Sequence, residues 1–360
     1  MTTTYPHDIF TLARAFDPNR NVDTEQNLEA VGGEGSLLQL RGMTPGAIRT
    51  LLVRAREFLP SVLDPSMRPQ MRNEHLSSMT VALLFFEHST RTCNSFAIAA
   101  DRIGARYVNF SAANSSTNKG ETIVDTARTI RSMGADVLVM RASQVCSPHL
   151  VAARTQAPVI NAGDGAHEHP TQGLLDSLAL ANALDIDNRF DFSGRRILIV
   201  GDILHSRVAR SATHALTSLG AHVTLCGPEA MVPKSLESLA PGQCDVTHDL
   251  DAQLGRADAV MMLRVQFERH IDAKSHDQSE RDAFVRDYTA GYCLTTERAA
   301  RMRPDAFVMH PGPFNRGIEL ESSVVDGGRS IIWHQVSCGV AVRMAVLEKT
   351  LAHSLETGIK

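Results

Sequence analysis

Ser89, Thr90, Arg91 and Thr92 stand directly behind an apolar run, Val81 to Phe86, and ahead of a helical apolar spacing at Phe96, Ala99, Ala100 and Ile103. A helix start exposes unpaired backbone N–H groups at the positive end of the dipole. Hydroxyls and a guanidinium added there make a cradle for an anion, phosphate above all. The plainer reading is an ordinary helix cap with a solvent-facing arginine. Three further arginines stand alike: Arg141 ends "DVLVM", Arg264 ends "DAVMML", and Arg207 comes after a strand in "GDILHSR". A guanidinium at the end of an apolar strand is poorly solvated unless it meets an anion. An internal ion pair would satisfy one such arginine, but four in the same kind of place point to anionic ligands.

His169 precedes Pro170 at another strand-to-helix turn, with Gln172 one turn on. The dipole biases such an imidazole towards the neutral form, able to donate a hydrogen bond. His167 and His169 also form an H-x-H pair that could ligate a metal, yet no convincing set of further ligands accompanies them, so no metal is expected. Lys119 lies in the polar loop "NSSTNKGET", and "HPGP" at 310–313 offers carbonyls beyond a strand for an amino or amide group. No Gly-x-Gly-x-x-Gly comes after a leading strand, and neither GxxxxGK[ST] nor GxSxG occurs. Dinucleotide binding, triphosphate hydrolysis and serine-hydrolase chemistry therefore lack their signatures, and no cofactor is expected.

The elements that must position these groups alternate. "TPGAIRTLLVRAREFL" opens a helix, with Thr44 as cap and Pro45 in the first turn. Apolar strands at "MTVALLFFE", "RYVNFS", "ADVLVMR" and "APVINAGD" then alternate with amphipathic helices, the last beginning at "HPTQGLLDSLALANAL". The pattern breaks at "NRFDFSGRR" and restarts with "ILIVGD", a helix at 206–219, "HVTLCGP", a helix near 234–239, "ADAVMMLR", a helix near 295–302, and "DAFVMHPGP". Short continuous apolar strands between helices predict two parallel, doubly wound α/β sheets. Ligands in such folds sit beyond the carboxyl ends of the strands, where the unusual residues lie. The polar stretch 267–288 reads as a mobile loop and candidate lid. "VSCGVAVRMAVLEKTLAHSL" reads as an amphipathic helix. The expected organisation is an extension (1–36), a first domain (37–182) completed by a C-terminal helix (336–360), and a second domain (183–335).

With 360 residues and 43% apolar content the chain can build two cores. A net charge of −4 without a basic block excludes a nucleic-acid footprint. The six cysteines form no CxxC pair, which fits free thiols in a reducing compartment. No signal peptide and no apolar stretch near the ~18 residues of a membrane span are present, so a cytoplasmic protein without membrane contact is expected.

Together, STRT (89–92), KGET (119–122), HPTQ (169–172), RVQFER (264–269) and HPGPFNRGIEL (310–320) resemble the aspartate/ornithine carbamoyltransferase family, in the family's order, from about residue 36 onward. HPTQ, RVQ-x-ER and HPGP-x-NRG point to its aspartate branch, the ornithine branch carrying HPCQ and a later cysteine. The resemblance implies the substrates carbamoyl phosphate and L-aspartate and the product N-carbamoyl-L-aspartate, made for pyrimidine synthesis. It implies that Ser89, Thr90, Arg91, Thr92 and Arg141 take the phosphate. Thr92, Arg141 and His169 polarise the carbamoyl oxygen, while Gln172, Pro311 and Gly312 hold the carbamoyl nitrogen. Arg207, Arg264 and Gln266 take the carboxylates of aspartate, and Ser115 and Lys119 reach in from a neighbouring subunit of a homotrimer. It further implies that the last helix returns to the first domain, and it leaves open a dihydroorotase or regulatory chain as partner. His88 stands for the family's usual proline and Cys93 for its usual arginine, neither replacing a substrate-directed residue. Two alternatives are a carbamoyltransferase for another amino acid and an inactive paralogue acting as a scaffold.

Overall fold

The computed structural model describes residues 35–111, 121–265 and 278–357. Ser115, Lys119, Gln266 and nearly all of the expected extension lie outside them. A helix α1 (Pro45–Leu63) opens as its sequence predicts, Pro45 in the first turn and Thr44 Oγ1 accepting from the Ala47 amide. The first sheet comprises β1 (Thr80–Phe85), β2 (Arg106–Ser111), β3 (Val137–Ala142) and β4 (Val159–Asp164), all parallel in the order β2-β1-β3-β4. Its helices are α2 (Thr90–Ile103), α3 (Ile123–Ser132), α4 (Ser147–Thr155) and α5 (Pro170–Ala183). Gly104 ends α2 at φ +92°, a left-handed residue that glycine adopts without steric cost.

The second sheet, also parallel, has β5 (Arg196–Val200), β6 (His222–Cys226), β7 (Cys244–Thr247), β8 (Ala259–Met262) and β9 (Phe307–Met309) in the order β7-β6-β5-β8-β9. Around it lie α6 (Arg207–Ser218), α7 (Asp251–Leu254), α8 (Gln278–Tyr292), α9 (Thr296–Ala300) and α10 (Ser322–Val325). α11 (Ile332–Thr357) closes the described chain.

Both faces of each sheet are buried, and side chains alternate between them as strand geometry requires. Val81 and Leu83 face one core with Ile197 and Ile199 of the second sheet, so the two sheets share that core. Ala82 and Leu84 face a separate cluster on one side, Leu198 and Val200 another on the far side. α5 and α6 pack against each other, and α11 packs on α1, α2 and α5. At the α5–α6 contact a Cβ on Gly173 would lie 2.5 Å from the Ser211 carbonyl oxygen, so only glycine allows this approach.

Four expectations change. β7 is a strand that the sequence pattern did not reveal: its "CDVT" is short, polar and at a sheet edge. Of the expected loop at 267–288, residues 267–277 lie outside the described ones and 278–288 are helical, since α8 begins at Gln278 and buries Tyr288. The helix at 234–239 is a 3₁₀ turn. α11 begins before residue 336, and its stretch from Cys338 to Leu347 is buried all round, because the last helix runs through the shared core and not over its surface. No helix among the described residues is long and apolar enough to cross a membrane.

Candidate active site

A cleft of about 450 Å³ opens beyond the carboxyl ends of both sheets, lined by eleven of the sequence-predicted residues: Ser89, Thr90, Arg91, Thr92, Arg141, His169, Gln172, Arg207, Arg264, Pro311 and Gly312. Strand order explains their meeting. Chain direction around each sheet reverses between β1 and β3, and again between β5 and β8. Such switch points leave a crevice at the strand ends. Arg91 comes after β1, Arg141 is the penultimate residue of β3 opposite Phe85, Arg207 comes after β5, and Arg264 after β8.

At the start of α2, Ser89 occupies the N-cap position, yet its hydroxyl makes no capping hydrogen bond. The Thr92 hydroxyl lies 3.5 Å from His169 Nε2. His88 also lines the cleft, and the Cys93 thiol points to Asn109 Oδ1 at 3.6 Å. Hydroxyls, amides and the Arg91 guanidinium thus surround one end of the cleft.

The arginines crowd one another. Burial, then the charge of neighbouring Arg207, pushes Arg141 down to about 10, with Arg91 adding to the effect. Burial and the charge of Arg264 hold Arg91 below its usual value. One carboxylate answers two of them: Glu87 Oε2 lies 3.0 Å from Arg207 Nη2 and 3.3 Å from Arg141 Nε. Glu87 therefore joins an arginine of each sheet, a role the sequence reading missed because its partners lie 54 and 120 positions away. Arg207 Nη1 also donates to the Gly165 carbonyl at 3.1 Å. Gly163, at φ +116°, makes room for the pair, since a Cβ there would sit 2.9 Å from Arg207 Nε and 3.3 Å from Arg141 Nη1.

His169 begins α5 fully buried, its amide donating to Ser211 Oγ on α6 at 2.8 Å. Its imidazole is held well below the ordinary value, as expected, but by burial and then by Arg343, Arg141 and Arg207. The dominant cause is thus a different one from the helix dipole that the sequence suggested. Such a ring stays neutral and donates without surrendering its proton. His167 contacts Asp164 (3.0 Å), so the two histidines of the H-x-H pair serve different partners.

Gln172 Nε2 donates to Asp176 Oδ1 at 2.9 Å, and Gln335 Nε2 to the same oxygen at 2.8 Å. With its nitrogen committed, Gln172 has its carbonyl oxygen for a ligand's N–H groups. Burial pushes Asp176 up to about 7. Gln335 Oε1 accepts from the His310 amide, and His310 Nδ1 accepts from the Gly312 amide at 2.8 Å, which sets the HPGP turn against the cleft. Glu168 fixes the other side: it accepts from the amides of Leu40 and Arg41 and from the Ser211 hydroxyl. Glu319 accepts from the Val265 and Asn315 amides, tying the strand end near Arg264 to the turn after HPGP. Arg343 on α11 reaches the cleft wall, buried and pushed down to about 10. None of Asp176, Gln335, Glu168, Glu319 and Arg343 stood out in the sequence. The signal that could have found them is their charge or amide within apolar helices and turns, where an unpaired polar group is costly.

A sequence model described as aspartate/ornithine carbamoyltransferase, carbamoyl-P binding domain, matches residues 36–182. Its companion, the Asp/Orn binding domain, matches residues 193–350. The aspartate carbamoyltransferase catalytic subunit of Myxococcus xanthus is 47% identical over 315 residues, covering 87% of this chain and 98% of that protein. The Koribacter versatilis catalytic subunit is 46% identical over 317 residues, covering 88% and 97%. Among solved structures, Trypanosoma cruzi aspartate transcarbamoylase in complex with N-(phosphonacetyl)-L-aspartic acid superposes with a TM-score of 0.73 at 30% identity, covering 88% of this chain and 96% of that one. Ornithine carbamoyltransferase from Pyrococcus furiosus gives 0.74 at 25% identity, covering 90% and 98%. With both halves matched and the switch-point arginines gathered in one cleft, the chain belongs to the aspartate/ornithine carbamoyltransferase family.

Proposed function

We propose that this chain transfers the carbamoyl group of carbamoyl phosphate to the amino group of L-aspartate, giving N-carbamoyl-L-aspartate and phosphate, the committed step of pyrimidine synthesis. The observation that carries the reading is the convergence of Arg91, Arg141, Arg207 and Arg264 on one cleft that also holds a neutral histidine and an oriented glutamine carbonyl. Two anionic substrates need several cations, and here Arg141 and Arg207 share one carboxylate, that of Glu87.

In this reading the phosphate rests on the open end of α2, on Ser89, Thr90, Arg91 and Thr92, with Arg141. Thr92, Arg141 and His169 face the carbamoyl oxygen. The deprotonated amine of aspartate attacks the carbamoyl carbon, the C–N bond forms, and negative charge gathers on that oxygen. Donors already aimed there stabilise it without reorganising, each worth about 10²–10³ in rate. The carbon–oxygen bond to phosphate then breaks, and the departing phosphate accepts the amine proton, so no separate general base is needed. Gln172 and the carbonyls of Pro311 and Gly312 hold the carbamoyl nitrogen. Arg207 and Arg264, with Gln266, hold the carboxylates of aspartate. Holding the reactants side by side supplies much of the remaining acceleration.

The same reading includes a cytoplasmic homotrimer whose subunits lend Ser115 and Lys119 to a neighbour's site. The test is a colorimetric assay for carbamoyl-aspartate with purified protein, run beside L-ornithine as the acceptor. Turnover of aspartate alone is expected; turnover of ornithine in its place, or of neither, overturns the assignment. Mixing inactive Arg91→Ala and Lys119→Ala chains should restore some activity, and no recovery after verified subunit exchange counts against shared sites.

A further inference from the structure

We propose that Cys146, His149, Asp164 and His167 form a binding site for a zinc-type divalent metal ion, beside the catalytic cleft and separate from it. One candidate ligand atom from each lies within 4.8 Å of all the others. Among the described residues no other group of three or more such side chains meets so closely. A tetrahedral zinc ion with ligands at roughly 2.0–2.3 Å sets its donors roughly 3.3–3.8 Å apart, so the widest pair must close by about 1 Å.

The ligands arrive as two pairs of the same spacing, Cys146-x-x-His149 and Asp164-x-x-His167. A two-residue gap lets a short turn aim both side chains at one point, the device of structural zinc sites. Cys146 is the N-cap residue of α4 and His149 lies in its first turn, while Asp164 ends β4 and His167 stands in the next turn. Two neighbouring strand-end turns thus face each other across the cluster.

The surroundings are built. Asp164 is fully buried and oriented by three donors: the Cys146 amide at 2.7 Å, Asn161 Nδ2 at 2.8 Å and the Glu168 amide at 3.1 Å. Such outer contacts hold a ligating carboxylate in place. His167 Nδ1 lies 3.0 Å from Asp164, and the His149 and His167 rings meet edge to face with centroids 5.5 Å apart. His149 is buried, whereas Cys146 and His167 are partly exposed and leave a way in from solvent. Cys146 also holds a left-handed backbone, φ +59°, that glycine would adopt without strain. A thiolate with a ligand to bind is a reason for cysteine there.

One thiolate, two imidazoles and one carboxylate suit a borderline ion and disfavour the oxygen-seeking magnesium and calcium. Four protein ligands leave no open position, so the ion is structural and takes no part in the reaction. It would brace the 164–169 turn, which carries both His169 and the carbonyl of Gly165 that receives Arg207.

The full chain, stripped with a chelator, is titrated with Co²⁺ alone and monitored by absorbance. One ion per chain is expected, with a thiolate-to-cobalt charge-transfer band that one equivalent of Zn²⁺ removes. Cys146→Gly, which suits the backbone there, should abolish the band and weaken metal binding at least tenfold. His149→Gln, which keeps the thiolate, should weaken binding likewise and decides the matter if the first variant folds poorly. Absence of saturable binding, or a band and affinity unchanged in both variants, overturns the site.

Discussion

Two helices lie just beyond the switch-point strands, and they begin alike in sequence but not in hydrogen bonding. α2 starts Ser89-Thr90-Arg91 and α6 starts Ser206-Arg207. Ser206 caps its own helix, its hydroxyl accepting from the Ala209 amide at 3.1 Å, whereas Ser89 caps nothing within the chain. A helix start that satisfies itself gains stability; one left open keeps its donors and dipole for a ligand. The first half can therefore bind a compact dianion with its backbone. The second half sets the guanidinium groups of Arg207 and Arg264 at the cleft, and such groups suit the planar forks of carboxylates. α5 belongs with α2, since His169 at its N-cap also makes no capping bond.

Four sets of variants bear on this contrast. Arg91→Ala removes the charge at the open helix end and should lower kcat/KM by about 10²–10³; a fall below tenfold in steady-state kinetics would show that the phosphate lies elsewhere. Glu87→Gln releases the link between Arg141 and Arg207, so the Michaelis constant for aspartate should rise about tenfold, or about 1.4 kcal/mol. An unchanged constant would deny that the two halves are coupled through this carboxylate.

Asp176 probes the buried network behind Gln172. Burial raises its carboxyl from the usual 3.8 to about 7, so between those values the native chain keeps a proton that the unfolded chain has released. Stability should fall as pH rises through that window, by up to about 1.4 kcal/mol per pH unit, and fall no further above it. Asp176→Asn, which mimics the protonated acid, should flatten that slope in urea titrations at pH 5, 6 and 7; parallel slopes would rule the group out. The smallest effects separate the two serines. Ser206→Ala should cost about 1 kcal/mol of stability as a lost cap, and Ser89→Ala less than about 0.5. Ser89→Ala should instead weaken carbamoyl phosphate binding, and equal melting losses in the two variants would erase the distinction.

The strand ends and their arginines were legible because apolar runs of strand length, punctuated by turn residues, locate the residues just past their carboxyl ends. STRT and HPTQ stand where the period changes from strand to helix. The groups that escaped act across long sequence separations. Glu87 meets Arg207, Asp176 meets Gln335, and Glu168 meets Leu40, pairings that no local spacing encodes. α8 escaped for another reason: "QSERDAFVRDYTAGY" carries few apolar residues, so its helical period is faint even though Tyr288 is buried. The family's loop residues Ser115, Lys119 and Gln266 were named from resemblance and lie outside the described residues.

α11 sets an order of events for the newborn chain. Its partners α1, α2 and α5 are made early, yet the helix that covers them is the last described element to be synthesised. The core that α11 shares with the first sheet therefore stays incomplete until residues 332–357 have been made. Contacts between such distant segments slow folding, so chaperone demand should be governed by the final helix, and shortening it should harm the half of the molecule that was made first.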